Sequence, residues 1–302
     1  MPDYPYMPSD RQLKYVPHDD RFMLSAAKAR AEQSGDTLYP VGIAMVRDGE
    51  VLVTAGNGFS RGAGTVHICP RVVLDCPSGT GYDLCTLHDA PGHAEQMAVK
   101  MATERGIDLI GADAYMYGHW WACESCWTTL INAGIRDLYV TDDAHDRFSR
   151  DNVFAQTLKP SVQSSYISGP MTNMPEEEYG PMRKLYESLA DACLEIGIKP
   201  YVPHMHCDPR SNDCRTSQEV WQIDVDQVRA SDVIVADVTY TSLGVGGELA
   251  YAQMAGKPIV LLSKKGASVS RFARGNPAIV YHIEYQTPED ACWMMKNVLR
   301  QL

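Results

Sequence analysis

The chain has 302 residues, of which 45% are apolar and 22% are charged, the balance of an ordinary globular protein. This length is enough for about two domains. The 27 Lys and Arg residues against 38 Asp and Glu residues leave a formal net charge of -11. We therefore expect no duplex nucleic acid partner, because an acidic chain repels the phosphate backbone.

The chain also lacks the sequence features of membrane and secreted proteins. No apolar run reaches the roughly 18 residues of a membrane span, so we expect no membrane partner. The N-terminus is polar and proline-rich and has no apolar signal-peptide core, which predicts a cytoplasmic protein. An odd number of cysteines, nine, argues against a disulfide framework. Five of the nine lie between Cys69 and Cys126, a distribution typical of a metal site.

The N-terminal half begins with an arm that is predicted to be irregular, residues 1–18, because it contains four prolines. A first domain is expected over 19–160. Its first helix should start at Asp19 or Asp20, where an aspartate can cap the helix. Two β-rich runs then flank Asp48-Gly49, a strong hairpin signal.

A loop over residues 57–91 follows, rich in Gly, Pro and Cys. A loop of that length inside a compact domain is either functional or held by a ligand. Helices are then expected to open at His93 and at Cys123, with a strand before Cys123 and another after Gly134. The first domain is therefore expected to mix strands and helices.

The segment around 158–165 is the best candidate for a domain boundary, and a second domain is expected over 163–302. Short β-rich runs alternate with helical runs through this half, for example DVIVADV followed by GGELAYAQMAG. This alternation is typical of a parallel sheet that is covered by helices on both faces. The fold class expected for the whole chain is α/β.

One group of residues in the first half suggests a metal. His93-Ala94-Glu95 opens one predicted helix, and Cys123 and Cys126 open the next. A histidine and two cysteines are three zinc ligands, which leaves a fourth position for water. Glu95 is then placed to carry protons. A His-x-Glu followed by a Cys-x-x-Cys is the signature of nucleobase deaminases; a structural or redox Cys-x-x-Cys is the alternative.

Residues 20–145 resemble the deoxycytidylate (dCMP) deaminases, through VGIAMVRDGEVLVTAGNG, HAE and ACESCWTTLINAGIRDLYV. The resemblance implies a cytidine-deaminase-like α/β/α domain in which His93, Cys123 and Cys126 hold a catalytic Zn²⁺. It also implies that Glu95 is the proton shuttle and that Asn57 touches the sugar. The chain departs from the family at Ala122, where proline is usual.

The long loop holds a second set of potential ligands. Cys69, Cys76, Cys85 and His88 could bind a second, structural zinc, although their spacing is irregular. Buried free thiols are the alternative, and the sequence does not separate the two.

In the second half, a predicted strand ending at Asp237 precedes a Gly-rich turn and a helix that contains Glu248. Ligands of parallel sheets bind beyond the carboxyl ends of the strands, and a helix N-terminus suits a phosphate. A carboxylate there can attack an anomeric carbon, and Asp224 could protonate the leaving base. A tight packing turn with a solvated Glu248 is the alternative.

Residues 163–302 resemble the 2′-deoxynucleoside 5′-monophosphate N-hydrolases and the related nucleoside 2-deoxyribosyltransferases, through YISGPM, IDVDQVRASDVIVADV and SLGVGGELAYA. The resemblance implies a Rossmann-like parallel-sheet domain. It makes Glu248 the nucleophile, Asp224 its acid/base partner and Tyr166 the residue that orients the carboxylate. The implied sugar-phosphate contacts are Ser168, Gly169, Ser242 and Gly244, with Ser270 reaching the phosphate of a neighbouring subunit. A homo-oligomer is therefore expected.

The resulting hypothesis is a bifunctional nucleotide-degrading enzyme that acts on small-molecule nucleotides. One domain would deaminate a cytosine nucleotide, dCMP to dUMP, and the other would hydrolyse the N-glycosidic bond of a pyrimidine nucleoside 5′-monophosphate. The two steps could run in series or in parallel. Alternatively, one domain only senses a nucleotide and regulates the other, or the second domain is a deoxyribosyltransferase.

Overall fold

The computed structural model of the protein describes residues 4–58, 67–207 and 215–302, so part of the predicted 57–91 loop lies outside the described residues. The chain separates into two compact units. The first unit holds the described residues up to 58 together with Asp75–Leu158, and the second holds residues 67–74 and the described part of Lys159–Leu302. Over these ranges no helix is long and apolar enough to cross a membrane.

Ten strands are described, and they divide equally between two sheets: β1 (Leu13–Val16), β2 (Gly42–Arg47), β3 (Glu50–Gly56), β4 (Asp113–Tyr117), β5 (Leu138–Thr141), β6 (Ser164–Ser168), β7 (Lys199–Tyr201), β8 (Val233–Asp237), β9 (Ile259–Lys264) and β10 (Ile279–Tyr285). The α-helices described are α1 (Arg21–Gln33), α2 (Pro70–Val73), α3 (Ala94–Glu104), α4 (Glu124–Asn132), α5 (Ala144–Arg147), α6 (Arg150–Thr157), α7 (Glu176–Glu195), α8 (Pro203–His206), α9 (Ser217–Ala230), α10 (Leu243–Met254), α11 (Arg271–Arg274) and α12 (Pro288–Leu299). Two 3₁₀ turns, Tyr82–Leu84 and Thr86–His88, lie between α2 and α3.

The sheet of the first unit has the strand order β1-β5-β4-β2-β3. Strand β2 runs antiparallel to both β3 and β4, whereas β1, β5 and β4 are parallel. The predicted hairpin is confirmed, because Asp48 and Gly49 connect β2 to β3 with φ of 52° and 81°. Positive φ at both central residues is the geometry that an Asp-Gly hairpin turn requires.

Side chains of β2 alternate between two cores, which places helices on both faces of this sheet. Ile43 and Met45 belong to the core that also holds residues of α3 and α4. Ala44 and Val46 pack with Met23 of α1 on the opposite face. The α/β/α architecture expected for this unit is therefore present. The N-cap of α1 is Asp20, which accepts hydrogen bonds from two backbone amides, as predicted.

The N-terminal arm is not irregular throughout. Leu13–Val16 form β1, which pairs in parallel with β5 over Leu138–Thr141. The prediction of an irregular arm is wrong for these four residues. Prolines flank the segment but none lies inside it, and a partner strand far along the chain supplies its backbone hydrogen bonds.

The second unit contains a fully parallel sheet with the order β10-β9-β8-β6-β7. Its strands bury alternate residues in two cores, Val233 and Val235 on one face with α7 and α12, and Ile234 and Ala236 on the other. The predicted Rossmann-like domain is confirmed. From β6 the chain proceeds to β7 on one side and reaches β8 on the other, so the strand order reverses beside β6. Such a reversal opens a crevice at the carboxyl ends of the strands.

A short segment ahead of the predicted boundary also belongs to the second unit. Val73, at the end of α2, is fully buried in the core on the α12 face. The Cys69 amide donates to Gln301 Oε1 at 2.7 Å, and Asn297 Nδ2 donates to the Val73 carbonyl at 3.2 Å. A single linear boundary near 158–165 therefore does not describe the whole division.

Asp237 is a fully buried carboxylate at the carboxyl end of β8. The Tyr285 hydroxyl donates to it at 2.8 Å, and the amide and hydroxyl of Thr239 donate at 2.9 Å and 3.1 Å. Burial nevertheless raises the pKa of Asp237 from 3.8 to about 6, because desolvation disfavours the charged form more than these hydrogen bonds favour it.

We predict that ionisation of Asp237 lowers the stability of the second unit as the pH rises. The folded-state pKa lies above the unfolded value, so the contribution is complete below pH 4 and is lost between pH 4 and about 6. The loss should be on the order of 3 kcal/mol. Asp237→Asn should remove this part of the pH dependence. Urea unfolding at pH 4, 5, 6 and 7 measures it.

Asp226→Asn on the exposed side of α9 is the control and should leave the wild-type pH dependence intact. Equal pH slopes for wild type and Asp237→Asn would contradict this account of Asp237.

Candidate active sites

The potential metal ligands of the first unit lie where two helices begin. His93 is the N-cap of α3, and Cys123 is the N-cap of α4, with Cys126 in the first turn of that helix. His93 Nδ1 lies 3.3 Å from Cys126 Sγ and 3.5 Å from Cys123 Sγ. The potential ligand atoms of the three residues all lie within 4.8 Å of one another. The structure therefore brings together the three residues that the sequence suggested.

The two thiols are electrostatically coupled. A hydrogen bond from Cys126 lowers the pKa of the Cys123 thiol to about 3, whereas that hydrogen bond and burial raise the pKa of Cys126. One of the pair is thus readily ionised, and the other is a buried thiol that a cation would help to ionise. One imidazole nitrogen and two sulfurs fit zinc and leave a position open.

Glu95 lies next to this ligand group, two residues after His93 in the first turn of α3. Its side chain is buried, with 5% of its surface exposed. Burial raises the pKa of Glu95, while the nearby His93 opposes the rise. A carboxyl group that is kept from water beside the ligands can hold or release a proton.

Asn57, predicted to touch a sugar, is held by protein groups at the end of β3. Its Oδ1 accepts from the Val41 amide at 2.7 Å and from Ser34 Oγ at 2.6 Å, and its Nδ2 donates to the Tyr39 carbonyl at 3.0 Å. These bonds fix the strand end beside the loop. A contact with sugar stays a prediction.

The residues suggested for a second zinc are divided between the units. Cys69 caps α2 in the second unit, whereas Cys76, Cys85 and His88 belong to the first. In the described ranges, no group of three or more potential ligands includes Cys76 or His88. His88 instead approaches His93, with 3.1 Å between His88 Nδ1 and His93 Nε2. The second zinc stays a prediction.

In the second unit, two hydroxyl groups on β6 hold Glu248 of α10. Tyr166 and Ser168 are two residues apart, so their side chains leave the same face of the strand. The Tyr166 hydroxyl donates to Glu248 Oε1 at 2.9 Å, and the Ser168 hydroxyl donates to Oε2. Burial raises the pKa of Glu248, and the two hydrogen bonds oppose the rise.

Asp224 on α9 is the second carboxyl group of this site. Its Oδ1 is buried and has no hydrogen-bond partner among the residues that the structure describes. Burial raises the pKa of Asp224, while Arg215 opposes the rise. A carboxyl group in this state tends to hold its proton and can donate it.

Asp224 and Glu248 line one cavity of about 260 Å³, as do Gly169, Ser242 and Gly244. A Cβ atom at Gly169 would lie 2.2 Å from the Tyr186 ring, so no side chain fits there. Ser242 is the N-cap of α10 and accepts from the Val245 amide at 3.4 Å. The N-terminus of a helix is suited to an anion. Ser270, the N-cap of α11, is not among the residues of this cavity, and its predicted contact with a neighbouring subunit stays a prediction.

Sequence reasoning missed Met171, Thr172 and Pro203 on the other wall of this cavity, whereas His204 and Cys207 of the same wall belong to a segment that the sequence suggested as a substrate-side loop. His204 is buried, and its Nε2 lies 3.3 Å from Glu187 Oε1. This segment follows β7, the neighbour of β6, at the carboxyl end of the sheet.

Known protein families match both parts of the chain. Residues 17–142 match the model of the cytidine and deoxycytidylate deaminase zinc-binding region, and residues 166–288 match the model of the nucleoside 2-deoxyribosyltransferases. The deoxycytidylate deaminase of Mycobacterium phage D29 is 30% identical over 120 residues, 39% of this chain and 91% of the phage protein. A Methanosarcina barkeri protein named as a 2′-deoxynucleoside 5′-phosphate N-hydrolase is 37% identical over 134 residues, 43% of this chain and 82% of that protein. The chain belongs to both families.

A protein of Thermofilum pendens, also named as a 2′-deoxynucleoside 5′-phosphate N-hydrolase, is 44% identical over 62 residues. That match spans 20% of this chain and 43% of the Thermofilum protein. His93, Cys123 and Cys126 fall within the zinc-binding region of the deaminase family, and Tyr166, Asp224 and Glu248 fall within the transferase and N-hydrolase match.

We predict that Cys123→Ala lowers the zinc content of the purified chain by one equivalent. Removing this thiolate leaves only two ligands, which is too few for tight binding. Elemental analysis after exhaustive dialysis measures the change. Cys292→Ala on α12, in the other unit, is the control and should keep the wild-type zinc content. Unchanged zinc in Cys123→Ala would show that the ligand set is wrong.

Proposed function

We propose that the chain is a bifunctional nucleotide-degrading enzyme. The first unit deaminates a cytosine nucleotide, dCMP being the expected substrate, to dUMP and ammonia. The second unit hydrolyses the N-glycosidic bond of a pyrimidine 2′-deoxynucleoside 5′-monophosphate. The observation that carries the proposal is that each unit has its own glutamate, buried in the first unit and half-buried in the second, beside the groups that its reaction needs.

In the first unit, His93, Cys123 and Cys126 would hold the zinc ion. When bound there, zinc supplies a Lewis acid that makes water a nucleophile at neutral pH. Glu95 would take a proton as water adds to C4 of the base and deliver it to the ring nitrogen. It would then take the second proton of that water and deliver it to the amino group, which leaves as ammonia while the water oxygen stays on C4. Its burial supports this role, because bulk water then does not compete for the proton.

In the second unit, a Glu248 oxygen would attack C1′ as the bond from C1′ to the base nitrogen breaks. Asp224 would donate its proton to the departing base. Water would then add to C1′ of the glycosyl ester and release Glu248, while Asp224 takes the proton from that water. This is the two-step route of retaining glycosidases. Tyr166 and Ser168 support it because they fix both carboxylate oxygens of Glu248.

The names of the relatives favour one class of substrate for both units. The phage relative is named for deoxycytidylate, and the archaeal relatives are named for 2′-deoxynucleoside 5′-phosphates. A deoxynucleoside 5′-monophosphate fits both names. The N-terminal end of α10 beside the cavity supports a phosphate contact, and Ser270 of a neighbouring copy would add another.

Transfer of the deoxyribosyl group to a second base is the other reaction open to the second unit, since it shares the Glu248 ester. Water and a base would then compete as acceptors. Adding a free acceptor base during dUMP turnover separates the two. Hydrolysis gives uracil and deoxyribose 5-phosphate, whereas transfer gives uracil and a new nucleotide that carries the added base.

We predict that Glu95→Gln abolishes ammonia release from dCMP but leaves base release from dUMP at the wild-type rate. The amide keeps the size of the side chain and the zinc ligands but cannot carry the proton. Ammonia and free base are measured on the same sample. Loss of both activities in a folded variant would argue for a single composite site and against two independent sites.

We predict that Glu248→Gln lowers the rate of base release roughly a thousandfold or more, on the order of 4 kcal/mol, because the nucleophile is lost. Tyr166→Phe removes only an orienting hydroxyl and should cost about tenfold to a hundredfold. Chromatography of the released base measures both variants, and ammonia release from dCMP is the internal control. A Glu248→Gln rate within about tenfold of wild type would place the nucleophile elsewhere.

A further inference from the structure

A tight turn brings His88 back against His93. The Gly92 amide donates to the Asp89 carbonyl at 2.6 Å, and the Gly92 carbonyl accepts from the Gly58 amide at 2.7 Å. A Cβ atom at Gly92 would lie 2.0 Å from the Leu87 carbonyl oxygen, so only glycine fits this turn. The backbone therefore holds the residue before the turn and the residue after it close together.

The two imidazole rings meet edge to face. The distance between His88 Nδ1 and His93 Nε2 is 3.1 Å, the ring centroids are 5.3 Å apart and the ring planes are 88° apart. Tyr82 packs against both rings, with centroid distances of 5.0 Å to His88 and 5.2 Å to His93. All three side chains are half-buried in the first unit.

The opposite edge of the His93 ring faces the two cysteines through Nδ1. A metal bound with Cys123 and Cys126 takes the lone pair of Nδ1, so the proton of the ring must be on Nε2. That proton points at His88 Nδ1, which is then the acceptor. Both nitrogens of His93 thus have a defined partner, one on each side.

We propose that His88 is a positioning residue for the zinc site: it accepts the Nε2 proton of His93 and so fixes the tautomer and the orientation of this ligand. The inference rests on the zinc site of the proposed function. Histidine ligands of metals nearly always donate their second ring proton to an acceptor, and loss of the acceptor typically costs about tenfold to a hundredfold in metal affinity. Tyr82 limits the rotation of both rings.

This role differs from the second-zinc role that the sequence suggested for His88. A ligand of a separate zinc would remove one equivalent of metal when replaced. A positioning residue leaves the number of zinc ions unchanged at saturation and weakens the binding of the one at His93. Zinc stoichiometry and zinc affinity together therefore separate the two roles.

The experiment measures the zinc dissociation constant of the full chain by competition with a chromophoric chelator, and total zinc at saturation. Three variants are compared with wild type. His88→Asn keeps an acceptor oxygen at the place of Nδ1, His88→Gln moves it to the place of Nε2, and His88→Ala removes it. His18→Ala, an exposed histidine outside the site, is the matched control.

We expect His88→Ala and His88→Gln to weaken zinc binding about tenfold to a hundredfold. His88→Asn and His18→Ala should stay close to wild type, and all variants should reach the wild-type stoichiometry. Equal affinity in all variants, or an Asn variant as weak as the Gln variant, would overturn the proposal. Loss of one equivalent with the remaining affinity unchanged would make His88 a ligand of a second zinc instead. If His88→Ala does not fold, the comparison of Asn with Gln decides.

Failure of the proposed function gives a different result. If wild type and Cys123→Ala hold the same amount of zinc, the ligand set itself is wrong, whatever the His88 variants do. If Cys123→Ala loses zinc and the His88 variants behave as wild type, the zinc site stands and only the role of His88 falls.

Discussion

Desolvation of a carboxyl group is the constraint on which both units depend. A carboxylate that leaves water loses several kcal/mol of hydration unless nearby groups replace it, or it takes up a proton. Glu95 is almost fully buried, and Glu248 has its pKa raised by burial in the same way. Each glutamate therefore needs a specific set of neighbours, and these neighbours are the groups that the proposed reactions would use.

The two units meet this constraint in different ways. Glu95 sits in the first turn of α3, where unpaired amides favour negative charge, and it lies beside a histidine and two cysteines. Glu248 receives two hydroxyl donors from alternate positions on β6, at the point where the strand order of a parallel sheet reverses. The surroundings of Glu95 are built from the starts of two helices, whereas those of Glu248 depend on the alternation of side chains along one strand.

Local signals in the sequence predicted much of this structure. The Asp48-Gly49 hairpin, the Asp20 cap and the helices opening at His93 and Cys123 depend on short-range chemistry that the sequence displays. The alternation of strands and helices was likewise sufficient to predict the parallel sheet. The position of Glu248 at the second site followed from where a Gly-rich turn follows a strand end.

What the sequence did not show depends on contacts between distant residues. Strand β1 is stabilised by β5, more than a hundred residues later, and α2 is buried by residues at the C-terminal end. The presence of His88 and three cysteines in one loop suggested a shared metal, but the turn at Gly92 places His88 against His93. The spacing of residues along the chain does not reveal this turn, because the turn is defined by the Asp89 and Leu87 carbonyl groups, three and five residues before Gly92.

The chemistry of the proposed reactions also fixes their order on a single molecule. Deamination changes C4 of the base and leaves the glycosidic bond and the phosphate intact, so its product keeps every group that the second reaction uses. Cleavage leaves a free base, which no longer offers the nucleotide deaminase a sugar or a phosphate to bind.

The fate of dCMP therefore depends on how strongly the second unit distinguishes cytosine from uracil. The two bases differ at C4 and N3, away from the bond at C1′ that breaks, so the discrimination must come from the part of the cavity wall that contacts the base. Met171, Thr172, His204 and Cys207 are among the residues that line this cavity without belonging to the carboxylate pair or the helix start. A hydrogen bond to the exocyclic group of the base would discriminate strongly, because the wrong base would leave a buried polar group unpaired, whereas apolar contact alone would discriminate weakly.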